Sequence, residues 1–236
     1  MKKKPKQLII IGGGTSIQEG VRKGLWKKLD GKFTFGLNFS YRYFPNPTAQ
    51  LYVDDDFYNK QKDKWDYLPL IIGKWYRFNK KTFLPQTICL PAISKYHRDV
   101  KDGVYKSNLV GIFALTLGIH LLDEGEIYLL GYDYGAKGQD EKGRPKTHFY
   151  QGDIKHRGIG KVNYYDTKNR ATMDFSVYQA ENKVKIYNVS PISNIPDSIF
   201  PQLTYDEFFK KLDNKKFSQD NLREEIKEKL KDAEKK

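Results

Sequence analysis

The chain has 236 residues, 39% hydrophobic and 14% aromatic, with a formal net charge of +13. That composition supports one sizeable core and excludes a disordered or collagen-like chain. The single cysteine, Cys89, excludes an intrachain disulfide, and no run approaches the ~20 apolar residues of a membrane span, which fits a cytoplasmic protein. The basic start, Met1 to Lys6, is followed by an apolar run of only Leu8 to Ile11, far short of a signal-peptide core. The excess of lysine favours phosphorylated ligands, nucleic acid or an anionic surface. Lys, Ile, Asn, Tyr and Phe also share AT-rich codons, so base composition is an alternative source of the lysine excess.

In chain order, Gln7–Ile11 reads as a buried strand. Gly12-Gly13-Gly14-Thr15-Ser16 follows, a turn without Cβ atoms ahead of a helix from about Ser16 to Leu29. Thr15 and Ser16 are capping residue types, and a helix start favours an anion, most often a phosphate. The Gly-Lys-Ser/Thr ending of a P-loop is absent. Ile17 stands where a dinucleotide fingerprint needs a small residue. A second strand, Lys32–Leu37, ends at Asn38, where an NAD site would carry a carboxylate. A third, Gln50–Val53, ends in Asp54-Asp55-Asp56. Those residues are either a solvated acidic turn or a place for Mg²⁺ against phosphates, with Asp54 and Asp56 on one side and Asp55 on the other.

Leu68–Ile72 and Thr87–Leu90 read as short strands. Lys74–Lys81, basic and aromatic, reads as an edge strand, or as a clamp for single-stranded nucleic acid. The helix Asn108–Leu122 is apolar on most sides, and Gly111 and Gly118 on it imply close packing. The central strand Glu126–Gly131 runs into Tyr132-Asp133-Tyr134. A polar stretch of about 135–170 reads as a lid. Lys183–Val189 is a late strand. Tyr205–Leu212 and Asn221–Ala233 are helices, the last charged and expected to lie outside.

The expected fold is α/β: a Rossmann-like, mostly parallel sheet with helices on both faces. One domain spans 1–209 with its lid loop, and 210–236 forms a charged helical extension. Ligands on such sheets collect at the carboxyl ends of strands. The candidate nucleotide-binding residues are therefore Gly12, Gly13, Gly14, Thr15, Ser16, Asn38, Asp54, Asp55 and Asp133. Of the four histidines, His120 reads as packed in its helix and His97 lies in a charged turn. His148 and His156 lie in the lid stretch, and His148 is preferred as general base, flanked by Thr147 and the aromatics Phe149 and Tyr150. No Cys/His set has zinc spacing and no Gly-x-Ser-x-Gly is present.

Ile10–Ser16 resembles the Gly-x-Gly-Pro-Ser opening of a superfamily that includes the bacterial sialyltransferases of glycosyltransferase family 42. The same group holds proteins like the 6-hydroxymethylpterin diphosphokinases and the motility accessory factors, many of them phage-encoded. Thr15 stands where that group has Pro. Asn38 matches an Asn after the second strand. Ser107 to Asp133 is similar to a helix–strand unit ending in Gly-x-Asp-Phe/Tyr, and Ile186 to Pro191 to a late strand and turn. The resemblance implies a Rossmann-like sheet binding a nucleotide or nucleotide-sugar. Gly12, Gly14, Ser16, Asn38 and Ser107 would surround the donor, and His148 would act as base. The expected function is a nucleotide-dependent transferase, first a glycosyltransferase, with its acceptor undetermined. The alternatives are Mg²⁺-dependent pyrophosphoryl transfer over Asp54 and Asp55, and a non-catalytic binder of nucleotide or nucleic acid.

Overall fold

The computed structural model describes residues 4–75, 83–93, 100, 103–105, 109–135, 138–154, 168–178 and 183–234. Its strands are β1 (Gln7–Ile11), β2 (Thr34–Leu37), β3 (Ala49–Tyr52), β4 (Ile71–Trp75), β5 (Thr87–Ile93), β6 (Val104–Tyr105), β7 (Gly125–Leu130) and β8 (Val184–Val189). They lie in the order β6-β5-β4-β3-β2-β1-β7-β8, and every pairing is parallel. Seven strands make the body of the sheet, and the two-residue β6 extends one edge. Around them lie α1 (Ile17–Arg22), α2 (Leu25–Leu29), α3 (Asp55–Gln61), α4 (Val110–Leu122), α5 (Lys168–Ser176), α6 (Tyr205–Lys211) and α7 (Gln219–Glu234). This is a parallel α/β, Rossmann-like fold, as the strand and helix pattern implied.

Side-chain alternation divides each central strand between two cores. Leu8 and Ile10 of β1 face the layer of α4, α5 and α7, whereas Ile9 and Ile11 face α1, α2, α3 and α6. Burial on both sides is why these strands read as continuous apolar runs. α4 lies across β1, β2 and β7. A Cβ on its Gly118 would come within 2.7 Å of Leu8, and one on Gly111 within 2.6 Å of the Tyr134 hydroxyl, so both glycines serve close packing.

Several elements differ from expectation. The first helix breaks in two at Gly24, whose φ of 80° no ordinary residue adopts cheaply. The acidic run after β3 opens α3 instead of ending a strand. β4 pairs with both β3 and β5, so Lys74 and Trp75 belong to an interior strand and Lys74 is fully buried. Residues 76–81 of the proposed edge lie outside the described residues. Within the stretch read as a lid, 138–154 packs onto the body through Phe149, Tyr150 and Ile154, and 168–176 is helical.

α7 is a structural part of the sheet's cover, not an appendage. Leu222, Ile226, Leu230 and Ala233 form one buried stripe on it. Its buried Arg223 donates to the carbonyls of Thr48 (3.2 Å) and Pro47 (3.4 Å) and to Asn46 Oδ1 (3.2 Å).

Candidate functional site

The chain leaves β1 toward β2 on one side, and α4 later returns it to β7 on the other. Strand order therefore reverses between β1 and β7, and the carboxyl ends of the strands at such a reversal are where open α/β sheets hold ligands. Ile11 is paired with Gly36 of β2 and with Leu130 of β7. The register therefore brings Gly12–Ser16, Asn38 and Gly131–Asp133 to one edge.

The glycine turn is built around its neighbours. Gly12 donates to the Leu130 carbonyl (2.7 Å) and Gly14 to that of Gly131 (2.9 Å). A Cβ on Gly12 would lie 2.8 Å from the Gly131 carbonyl oxygen. On Gly13 it would lie 2.8 Å from both His148 Cδ2 and the Tyr150 hydroxyl, and on Gly14 it would lie 2.4 Å from Asp133 Cγ. At these distances a methyl on any of the three would force a neighbour to shift, and the neighbour differs for each.

Asp133 is the hub. The residue is 2% exposed. It accepts from the Ser16 amide (2.9 Å), the Ser16 hydroxyl (2.5 Å), the Thr15 hydroxyl (3.1 Å) and the Ser190 hydroxyl (2.7 Å). Thr15 and Ser16 were expected to cap the helix, but Ser16 makes no side-chain cap bond and both hydroxyls turn to Asp133. The protein's own carboxylate thus takes the anion position at the start of α1. Ile17, Gln18 and Glu19 donate back to the carbonyls of Gly14, Thr15 and Ser16. Among the described residues, the Gly13 and Thr15 N–H groups meet no acceptor.

His148 stands beside that turn. The Phe149 amide donates to the Gly13 carbonyl at 2.9 Å, which pins the 147–150 segment to the glycines. His148 is half-buried, and its ring lies 5.1 Å from that of Tyr150. Its Nδ1 shares a 2.8 Å hydrogen bond with the Thr147 hydroxyl. Gln151 Oε1 accepts from the Thr147 amide (3.0 Å) and lies 3.3 Å from its hydroxyl. Gln151 Nε2 donates to Asp140 (2.9 Å) and to the Pro145 carbonyl (3.0 Å). Arg144 beside Asp140, and then Gln151, hold the Asp140 carboxyl well below the usual carboxylate range. Burial pushes the Tyr150 hydroxyl well above its ordinary value, so it stays protonated beside Gly13.

The other candidates fall in different places. Asn38 follows β2 at the same edge with a positive φ of 50°, a conformation that asparagine tolerates better than most, and its carbonyl accepts from Gln50 Nε2 at 3.0 Å. Asp54 is farther along the sheet. Its carboxylate caps α3 by accepting from the amides of Asp56 (2.9 Å) and Phe57 (3.3 Å). Asp55 is half-buried, and burial, then Asp54 and Asp56, raise its carboxyl above the ordinary 3.8. Among the described residues no group of three His, Cys, Asp or Glu side chains is spaced to hold a metal ion. Ser107, His97 and His156 lie outside the described residues. Sequence reasoning had Ser190 only within the late strand and turn, not as a site residue, and passed over Gln151 and Asp140. Ser190 had a usable signal, since it directly follows the apolar strand β8; Gln151 and Asp140 had none. No helix of the described residues is long and apolar enough to cross a membrane. Comparison with family models, with curated proteins and with solved structures finds no match for this chain.

Proposed function

We propose that the chain is a nucleotide-dependent transferase, first a glycosyltransferase taking a nucleotide-sugar donor at the carboxyl ends of β1 and β7. One observation carries this reading. The glycine turn and His148, singled out for separate reasons and far apart in sequence, are in contact at the switch point of the sheet. The donor phosphate would meet the Gly13 and Thr15 amides, not the start of α1, because Asp133 already takes the Ser16 amide and hydroxyl. Asn38 would meet ribose or base from the end of β2. His148 would remove a proton from the acceptor hydroxyl or deliver one to the leaving phosphate. The short motifs shared with the sialyltransferase superfamily point the same way. Pyrophosphoryl transfer over Asp54 and Asp55 has less support, because the Asp54 carboxylate is committed to capping α3.

The test is turnover of a panel of CMP-, UDP- and GDP-sugars, followed as release of free nucleotide. One of them should be consumed, and His148→Asn should lower kcat on the order of a hundredfold with KM little changed. Failure of the wild-type protein to consume any of them, with or without Mg²⁺, would count against the reading.

A further inference from the structure

We infer that the space over Gly36 is a site for one water molecule, held between Gln50 Oε1 and Ser40 Oγ, and that this water fixes the Gln50 amide that holds Asn38. Any use of Asn38 by a nucleotide rests on the function proposed above; the water site does not.

Gly36 lies inside β2, paired with Ile11 on one side and with Gln50 on the other. Glycine in a strand interior weakens the strand and often marks a close approach. The φ of Gly36 lies outside the left-handed region, so the backbone does not ask for glycine here. The space above it does. A Cβ would lie 2.7 Å from Gln50 Oε1 and 2.8 Å from Ser40 Oγ, with Pro47 Cγ next at 3.4 Å. Gln50 and Ser40 are both 0% exposed, and neither oxygen meets a hydrogen-bond partner among the described residues.

Turning the Gln50 amide over does not relieve this. Its Nε2 donates to the Asn38 carbonyl at 3.0 Å and lies 3.3 Å from that of Leu51. The reverse orientation would set Oε1 against two carbonyl oxygens, acceptor against acceptor. Oε1 is therefore the atom left on the Gly36 side, beside Ser40. Two oxygens this near one common point are close enough for a single water to bond both at ordinary lengths of about 2.8 Å. The water would donate to Oε1, which can only accept. Its other bond would be with the Ser40 hydroxyl, which can donate or accept. Buried polar atoms left unbonded are costly, and buried waters take up such places with about two to four bonds. A methyl on Gly36 would press on both oxygens and exclude the water. Through Gln50 the water is tied to the carbonyl of Asn38, a residue held at a positive φ of 50° at the end of β2.

The experiment is thermal unfolding of the wild-type protein, Ser40→Ala, Gly36→Ala and the double variant, together with a crystal structure of the wild-type protein at a resolution that shows ordered water. If water bridges the pair, Ser40→Ala breaks a bond and should lower the melting temperature by about 2–4 °C. A hydroxyl buried without any partner would give the opposite sign, so an unchanged or higher melting temperature would overturn the inference. In the Gly36→Ala background, where the methyl excludes the water, Ser40→Ala should no longer lower the melting temperature. A full, additive loss there would overturn the inference as well. The crystal structure should show one water within about 3.2 Å of both Gln50 Oε1 and Ser40 Oγ. No water there, or a direct bond between the two oxygens, would overturn the inference, and this readout holds even if Gly36→Ala does not fold. If the wild-type protein binds no nucleotide but the water is present, the transferase reading fails and the water site stands.

Discussion

Asp133 decides most of what the glycine turn can do. Three hydroxyls and one backbone amide converge on its buried carboxylate, tying the turn after β1 to the end of β8. Asp133→Ala strands those donors in a buried site. It should lower unfolding free energy by about 3 kcal/mol or more in urea titration, since each buried group left unsatisfied costs about 1–3 kcal/mol. Gly14→Ala drives a methyl into the same carboxylate and should cost about 1–3 kcal/mol by overpacking. Asp55 makes the opposite kind of claim. Burial and its acidic neighbours raise its carboxyl in the fold, so the native state holds the proton more tightly than the unfolded chain does. Stability from this residue is therefore lost as pH rises through 3.8 and beyond. Asp55→Asn should raise the melting temperature at pH 7, and the gain should vanish below pH 3.8. A lower melting temperature for the variant at pH 7 would contradict that sign. The importance of Gly12–Ser16 and of Asp133 was legible in the sequence. Consecutive glycines after an apolar strand mark a tight turn, and an acid directly after such a strand lies where ligands collect. Their mutual bond was not legible. Thr15 and Ser16 are helix-capping types, and only the tertiary fold brings a carboxylate more than a hundred residues away to outbid the cap.

At the scale of elements, the strongly apolar pieces were the most legible. β1 and α4 fall within two residues of their expected bounds, since nearly continuous burial leaves little choice of period. Amphipathic pieces were harder. α7 carries only a narrow stripe among many charges, so its composition suggested a projecting helix, yet that stripe and Arg223 dock it on the sheet. Leu230 is fully buried, and Leu230→Ala should cost about 2–5 kcal/mol by chemical denaturation. An effect under about 0.5 kcal/mol would mean that α7 is the appendage its composition suggested. α3 was not legible because three aspartates after a strand read as a solvated acidic turn or a metal site, and neither reading contains a helix. The Asp54 cap resolves this, and Asp54→Ala should cost about 1 kcal/mol.

At the scale of the whole molecule, the reversal of strand order at β1 gathers the candidate residues. The sheet runs outward from β1 through β2 to β6, and β7 and β8 are added on the other side. The glycine turn, Asn38, Asp133 and, through the 147–150 segment, His148 meet at that reversal, whereas Asp54 and Asp55 stay two strands away and serve α3. A parallel α/β topology was inferable from strand spacing, but strand order was not, since neighbouring strands leave no short-range mark on one another. The central claim is that the Gly13–His148 contact marks a nucleotide site. Its most direct test is calorimetric titration of the wild-type protein and of Gly13→Ala with CMP, UDP, GDP and ATP, each protein first shown to be folded. The wild-type protein should bind at least one nucleotide saturably, and binding should weaken at least tenfold when the Gly13 methyl pushes on His148 and Tyr150. Absence of binding to the wild-type protein, or equal binding by Gly13→Ala, would contradict the claim.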